Sequence, residues 1–364
     1  MALFSDSTVE VPGHRRNRGW LILFVALAIG VILGVAPAPY VIEQPGPVYN
    51  TLGTADHDGA QVPLVTIPDE PTYPTAGSLD LLTVSVVGNP GQRFSWFDVL
   101  GAWSDSSKAV LPIDQVFPPD VTVEQRNRAN QVAMVNSQKD AIAAALVYLG
   151  YDFPRNVKIV TLPDGSPSAG ILRADDEVLS VNGEAVHDLA AFRTALAANG
   201  TDAPATLGIL RGDHTLTVQA TPVERGDAIV LDVKVSMDYS FPFAVDIQLD
   251  NVGGPSAGMM FALGIVDKLT PGELNGGENV AGTGTIDSAG SVGAIGGIRQ
   301  KMYGAKNAGA DWFLAPASNC DEVTGHVPDG LTVFAVKTLD DSVAALDAIA
   351  GGADTSALPR CSVG

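Results

Sequence analysis

The residues Gly253-Gly254-Pro255-Ser256-Ala257-Gly258 stand directly ahead of the apolar run Met259-Met260-Phe261-Ala262-Leu263-Gly264-Ile265-Val266, and they constrain this chain more than any other stretch. Paired glycines open backbone conformations closed to other residues and let another group come close. Proline suits a first helical turn, and the run behind it is apolar enough to be a buried helix. The stretch therefore predicts a bend into a core helix with one hydroxyl, Ser256, at the bend. A helix starting there would aim unsatisfied N–H groups at an oxyanion forming beside that hydroxyl, the arrangement acyl transfer needs. The plainer alternative is a serine that only caps a helix.

A serine at its ordinary pKa is a weak nucleophile and needs a base within hydrogen-bond reach. The stretch satisfies G-x-S-x-G, the strand-to-helix elbow of enzymes that also use an acid and a later histidine. Only His326 follows Ser256, without a long alternation of strands and helices around it. A Ser256–His326–Asp triad therefore fits poorly. The other candidate base is Lys301, in Ala294-Ile295-Gly296-Gly297-Ile298-Arg299-Gln300-Lys301-Met302. Lysine serves as a base only when neutral, so its pKa must fall from about 10.4 towards 7 or 8. Ile295, Ile298 and Met302 can supply an apolar wall, and the first turn of a helix lies near the positive end of its dipole. Taken alone, such a lysine is usually a solvated surface group.

Three segments in order carry a family resemblance. Gly254-Pro255-Ser256-Ala257-Gly258, then Val280-Ala281-Gly282-Thr283-Gly284-Thr285-Ile286, then Ile295-Gly296-Gly297-Ile298-Arg299-Gln300-Lys301 resemble the nucleophile, threonine and lysine segments of Lon-type (S16) serine peptidases, and Lys301 stands 45 positions after Ser256. The resemblance implies Ser256 and Lys301 as the catalytic dyad and Thr283 as the support of the lysine. Gly253 and Gly254 would shape the backbone beside the nucleophile. The chain departs from the family at Gly253 and Thr285, both of which stand where an acidic residue is usual.

Residues 1–18 are polar and include Arg15, Arg16 and Arg18, after which residues 20–36 run without a charge. That length is at the short end of the roughly 17–25 residues a spanning helix needs. With basic residues on one flank only, the reading is a single membrane anchor whose N-terminus is cytoplasmic and whose remainder beyond residue 38 is extracytoplasmic. A cleaved signal peptide is the rival, since Ala36-Pro37-Ala38 imitates a small-x-small cleavage site, although Pro39 would then follow the cut. A buried core helix is the third option. Proline-rich residues from 37 to 47 read as an extended spacer. The segment 95–123 is aromatic and proline-punctuated and takes no role from its sequence.

Residues 77–87 have strand composition, and residues 126–149 read as a helix with Met134, Ile142, Ala145, Leu146 and Leu149 on its apolar face. Both resemble parts of a Lon-type domain, which would then open before a second module and resume after it. That module contains Asp164-Gly165-Ser166-Pro167-Ser168-Ala169-Gly170-Ile171-Leu172 and Val178-Leu179-Ser180-Val181-Asn182-Gly183, which look like the middle of a PDZ domain. Such domains take extended chain ends by strand addition beside a helix, so the resemblance implies a groove flanked by Val157, Ile159 and Val160 and by Ala191 and Leu196. A PDZ fold that serves only as a spacer is the alternative. After residue 227, strands at 228–235 and 243–249 are expected to lead to the nucleophile.

The organisation expected is an α+β chain, a Lon-type proteolytic domain with an inserted PDZ domain behind one transmembrane helix. Its parts are a cytoplasmic tail at 1–18, the anchor at 19–38 and an extended lead at 39–75. The first part of the peptidase domain, with the unassigned segment, follows at 76–153, the PDZ domain at 154–225, the dyad-bearing domain at 226–350 and a tail at 351–364. The function expected is an endopeptidase acting on protein or peptide substrates, with the PDZ domain selecting them, through their ends among other features. A silent PDZ-bearing adaptor is the runner-up. Lys and Arg total 21 against 41 for Asp and Glu, which argues against nucleic acid. Without a P-loop sequence, ATP dependence is not expected. The histidines are scattered and the cysteines lack zinc spacing, so no metal or cofactor is expected. In an oxidising compartment Cys320 and Cys361 would form a disulfide, two free thiols being the alternative. A homo-oligomer remains open.

Overall fold

The computed structural model describes residues 15–352 and 354–361. The expected cytoplasmic tail falls largely outside that range, as do the last three residues of the C-terminal tail. The chain divides into two compact units, one made of residues up to 44 with 85–122, the other of 45–84 with 123 onward.

In the first unit the helix Arg15–Val35 carries the uncharged run. Among the described residues no helix is long and apolar enough to cross a membrane. Behind it Ala38 donates its N–H to the Phe94 carbonyl at 2.8 Å. Ser95 then caps the helix Trp96–Trp103. Its hydroxyl accepts the Asp98 N–H while the Asp98 carboxylate accepts the Ser95 N–H, a reciprocal capping box. Tyr40 to Glu43 pair antiparallel with Ala109 to Pro112, over a small core of Val41, Ile113 and Phe117.

The extended spacer expected at 39–75 is instead folded structure. Tyr40–Asn50 is a strand, and Leu64, Val65 and Ile67 are buried in the main core of the second unit. The prolines that suggest a spacer fit because a strand, like a polyproline segment, is extended backbone, and only ladder donors are lost. Composition alone does not separate the two.

The second unit has a sheet in the order Thr332–Val336, Trp312–Pro316, Asn279–Gly282, then residues 78–84 of the strand Ser78–Val87 and residues 45–50 of the strand Tyr40–Asn50. Parallel pairing joins Asn279–Gly282 to both of its neighbours and Trp312–Pro316 to Thr332–Val336. Side chains alternate between faces with period two. Leu79, Leu81, Val280, Leu314 and Phe334 enter one core with the helices Val123–Tyr148, Gly258–Leu269 and Leu339–Ala350. Leu82, Ala281, Phe313 and Val333 meet the helix Ile298–Asn307 on the other face. Covering both faces is what parallel sheets require.

A second sheet, His214–Ala220, Ala205–Arg211, Glu177–Val181, Arg155–Thr161, Lys234–Tyr239, curls around its own core with the helix Leu189–Asn199. Here the expected boundary moves. The strand expected at 228–235 in the returning peptidase domain is two pieces: Ala228–Val230 pairs with Val223–Arg225, and Lys234–Tyr239 pairs antiparallel with Arg155–Thr161, with Val235 and Met237 packed on the second core. An alternating pattern specifies a strand but not which sheet it joins. Of the strand expected at 243–249, only Asp246–Ile247 pairs, with Val65–Thr66.

The two chain crossings between the sheets lie side by side. Ser240 donates its N–H to the Pro154 carbonyl at 3.1 Å. Tyr151 meets Phe243 edge-on, and Phe153 packs with Tyr239 and Phe241. Tyr239 also donates its hydroxyl proton to Asp140 Oδ1 at 2.6 Å, which ties the second sheet to the long helix.

Candidate active site

The nucleophile segment is held from two sides before its own helix begins. Gly254, at φ +90°, donates its N–H to the Asn130 carbonyl at 2.9 Å, and Ser137 donates its hydroxyl to the Pro255 carbonyl at 2.9 Å. Both partners lie on the helix Val123–Tyr148. A Cβ at Gly253 would come 2.8 Å from Asn130 Cβ, so this approach requires glycine. From the other side the Ser256 carbonyl accepts the Gly284 N–H at 3.0 Å and the Thr283 hydroxyl at 2.9 Å. The helix starts at Gly258, not at Pro255 as its sequence suggests. The reason is that the carbonyls of Pro255 and Ser256 are engaged by Ser137, Thr283 and Gly284, which holds these residues in a turn ahead of the helix. Among the described residues the N–H groups of Ser256 and Ala257 have no acceptor.

Lys301 comes from the helix Ile298–Asn307 on the other face of the sheet, and Thr283 lies just past the strand Asn279–Gly282. Gly297 at φ +68° begins the helix Ile298–Asn307, and a Cβ there would lie 2.7 Å from Val84 Cγ2. One turn in, Lys301 places Nζ 2.7 Å from Ser256 Oγ and 3.0 Å from Thr283 Oγ1. Ile295, Ile298 and Met302 are buried around it, and Lys301 is 2% exposed. Burial pushes its pKa down to about 7. The desolvation cost falls on the charged form alone, so the neutral amine is favoured.

The direction of the amine follows from a proton count. The Thr283 hydroxyl gives its one proton to the Ser256 carbonyl, so its oxygen accepts an N–H of Lys301. With N–H bonds committed there, the lone pair of a neutral amine can face Ser256 Oγ. A base so aimed can take the serine proton as the oxygen attacks a carbonyl, and the free N–H groups of Ser256 and Ala257 can receive the oxyanion.

Asn319 is a part of the site with no signal in the sequence. Its amide accepts the Ile295 N–H and donates to the Ile295 carbonyl, each at 2.9 Å. It thereby fixes the loop that turns into the lysine helix. Cys320 follows it directly and is bonded to Cys361, with Cα atoms 4.9 Å apart. Ser137 is legible in principle, because it falls on the stripe of Met134, Ala141 and Ala145 that the helix buries. His326, the rival base, directs Nδ1 to the Thr324 carbonyl of its own loop at 3.1 Å, whereas the serine hydroxyl is engaged by Lys301.

The groove expected on the second sheet needs correcting. Arg155–Thr161, which carries Val157, Ile159 and Val160, is an interior strand, since Lys234–Tyr239 occupies the edge that an added strand would need. Val157, Ile159 and Leu196 are buried in the second core, and Ala191 lies in the first turn of the helix, where its N–H donates to Asp188. The sheet edge open to another chain beside these elements is Lys234–Tyr239.

Two family models match the chain. Residues 251–348 match the family described as Lon protease (S16) C-terminal proteolytic domain, and residues 124–221 match PDZ domain. The PDZ match takes in the long helix that packs in the peptidase core and stops short of Lys234–Tyr239. Lon protease 1 of Sorangium cellulosum is 37% identical over 94 residues, 25% of this chain and 11% of that protein. Lon protease 2 of Herpetosiphon aurantiacus is 40% identical over 91 residues, 24% of this chain and 11% of that protein. The matched stretch thus spans about a tenth of the length of these relatives. Among solved structures, the PDZ domain of the SdrC-like protein from Listeria monocytogenes aligns at TM-score 0.21 with 15% identity, covering 22% of this chain and 85% of that one. The chain carries a serine-type proteolytic domain of the Lon (S16) family together with a PDZ domain.

Proposed function

We propose that this protein is an ATP-independent serine endopeptidase, tethered to a membrane by the helix Arg15–Val35, that cleaves extracytoplasmic protein substrates with Ser256 and Lys301. The observation that carries the reading is the buried Lys301 amine 2.7 Å from Ser256 Oγ, aimed by Thr283. Neutral Lys301 removes the hydroxyl proton as Ser256 attacks the scissile carbonyl, and returns it to the leaving amine. Water then enters, with Lys301 again as base, and releases the acyl group. The N–H groups of Ser256 and Ala257 hold the oxyanion in both steps. A site that works without a nucleotide-driven motor takes a chain already unfolded or extended.

Substrate selection is assigned to the PDZ domain, through strand addition along the open edge of Lys234–Tyr239. Tethering is supported by the basic flank and by the bare apolar side chains of the N-terminal helix. Ser256→Ala and Lys301→Ala should each abolish cleavage of an unfolded protein without ATP, with folding intact by circular dichroism. The double variant should be no worse than either, because the two residues act as a unit. Turnover retained by Lys301→Ala would remove the lysine mechanism, and absence of covalent labelling at Ser256 by an acylating reagent would leave the adaptor.

A further inference from the structure

The helix Trp96–Trp103 inverts the usual surface pattern. It buries Val99 and Ala102 and turns out Phe97, Leu100 and Trp103, which are 53, 46 and 57% exposed. A helix apolar on nearly every side is ordinarily buried. This one adjoins the end of the N-terminal helix, where a Cβ on Gly34 would lie 3.4 Å from the Phe97 ring. Val31, Ile32 and Val35, near that end of the N-terminal helix, are also exposed.

What covers this surface follows from the shape of the bare area on the N-terminal helix. Five consecutive residues, Leu21 to Val25, are 50–68% exposed. At 100° per residue they span the whole circumference. A protein partner seats on one face of a helix, whereas an apolar solvent covers all of them. The apolar run is also short, about 24 Å from Trp20 to Val35 at 1.5 Å per residue, against a hydrocarbon core of ~30 Å. A short span depends on anchors at its ends. Tyr40, Trp96 and Trp103 pack edge to face where the run stops, and such rings favour the boundary between acyl chains and headgroups.

We infer that the helix Trp96–Trp103 is an interfacial helix that lies in the membrane surface beside the N-terminal helix, with Phe97, Leu100 and Trp103 in the outer acyl region. The occupant is lipid. The inference rests on the tethering proposed above and adds a second contact between the chain and the bilayer.

The full chain reconstituted in phosphatidylcholine–phosphatidylglycerol vesicles tests it, with phosphatidylcholine brominated at shallow acyl positions as the quencher. In a variant that retains only Trp103 (Trp20→Phe, Trp96→Phe, Trp312→Phe), emission should shift to the blue, be lost to brominated lipid and resist aqueous iodide. In case that triple change disturbs folding, the single variant Trp103→Phe should remove part of the lipid-quenched emission of the native chain. Quenching of Trp103 by iodide and not by lipid overturns the inference. So does shielding from both, which would mean a protein covers the surface. A Trp20-only variant separates the two readings: lipid quenching there with none at Trp103 preserves the tether and removes only the interfacial helix, and none at either removes both.

Discussion

Lys301 couples the proposed chemistry to stability, because the burial that makes it a base also disfavours the folded state whenever the amine is charged. The unfolded lysine titrates near 10.5, and burial brings the folded value to about 7. Between these values the unfolded chain binds more protons, so stability rises with pH across that window, and below about 7 the whole penalty is present. A tenfold change in the amine's proton affinity corresponds to about 1.4 kcal/mol. Lys301→Met, an apolar chain of similar length, should therefore raise Tm most at pH 6 to 7, with a gain that fades towards pH 10.5. A gain independent of pH in thermal scans would show that the amine is not neutralised by burial. The same titration sets activity. kcat/KM for a short peptide should climb as pH rises through about 7 and then level, since only the neutral amine accepts the serine proton. Of the parts of this site, Ser256, Thr283 and Lys301 are singled out by the resemblance of three glycine-rich segments, in their order, to those of Lon-type peptidases. Asn130 and Asn319 are not, because each acts on backbone far away in sequence and any residue pattern could have met it.

At the scale of elements, the nucleophile depends on how closely the helix Val123–Tyr148 approaches the start of Gly258–Leu269. A Cβ on Gly258 would lie 2.8 Å from Ser137 Oγ and 3.0 Å from Ile286 Cγ2. Gly258→Ala should thus push the two helices apart and break the bond from Ser137 to the Pro255 carbonyl, lowering kcat more than it raises KM. Ser137→Ala alone removes that part-buried bond to the Pro255 carbonyl, a loss of roughly 1 kcal/mol or about fivefold in rate if it falls on the transition state. In the double variant the missing hydroxyl makes room for the new methyl, so its loss in kcat should be smaller than the two single losses combined. Strictly additive losses would mean that these residues do not meet as described. The helix Val123–Tyr148 is readable from its apolar spacing, whereas Trp96–Trp103 goes unread despite its capping box and Gly258–Leu269 starts later than its proline suggests. The strand expected at 228–235 is instead two, Ala228–Val230 and Lys234–Tyr239, and the second lies in a different sheet from the one its sequence position suggests. Pairing is settled by which core receives Val235 and Met237, and that is a long-range fact.

Across the whole second unit, the closeness of the two crossings decides how separable the PDZ domain is. Pro154 and Ser240 are joined by a backbone hydrogen bond, so a short linker can close the chain if the insert is removed there. The boundary read from sequence, 154–225, would leave Lys234–Tyr239 without the strand it pairs with and expose Val235 and Met237. That cut is expected to give an aggregating protein. Tyr239 must stay for a different reason. Asp140 is half-buried, burial pushes its pKa up, and the Tyr239 hydroxyl at 2.6 Å is its hydrogen-bond donor. Loss of that donor would leave a desolvated carboxyl on the helix that grips the nucleophile segment. Excision of residues 155–238 with a short Gly-Ser linker keeps Tyr239, the aromatic contact of Phe153 with Phe241, and the complete peptidase core. The expected product folds, cleaves a short peptide at close to the native rate, and loses most of its activity on an unfolded protein. Equal loss on peptide and protein, measured on a chain shown to be folded by its thermal transition, would make the PDZ domain a structural support of the active site and not its substrate selector.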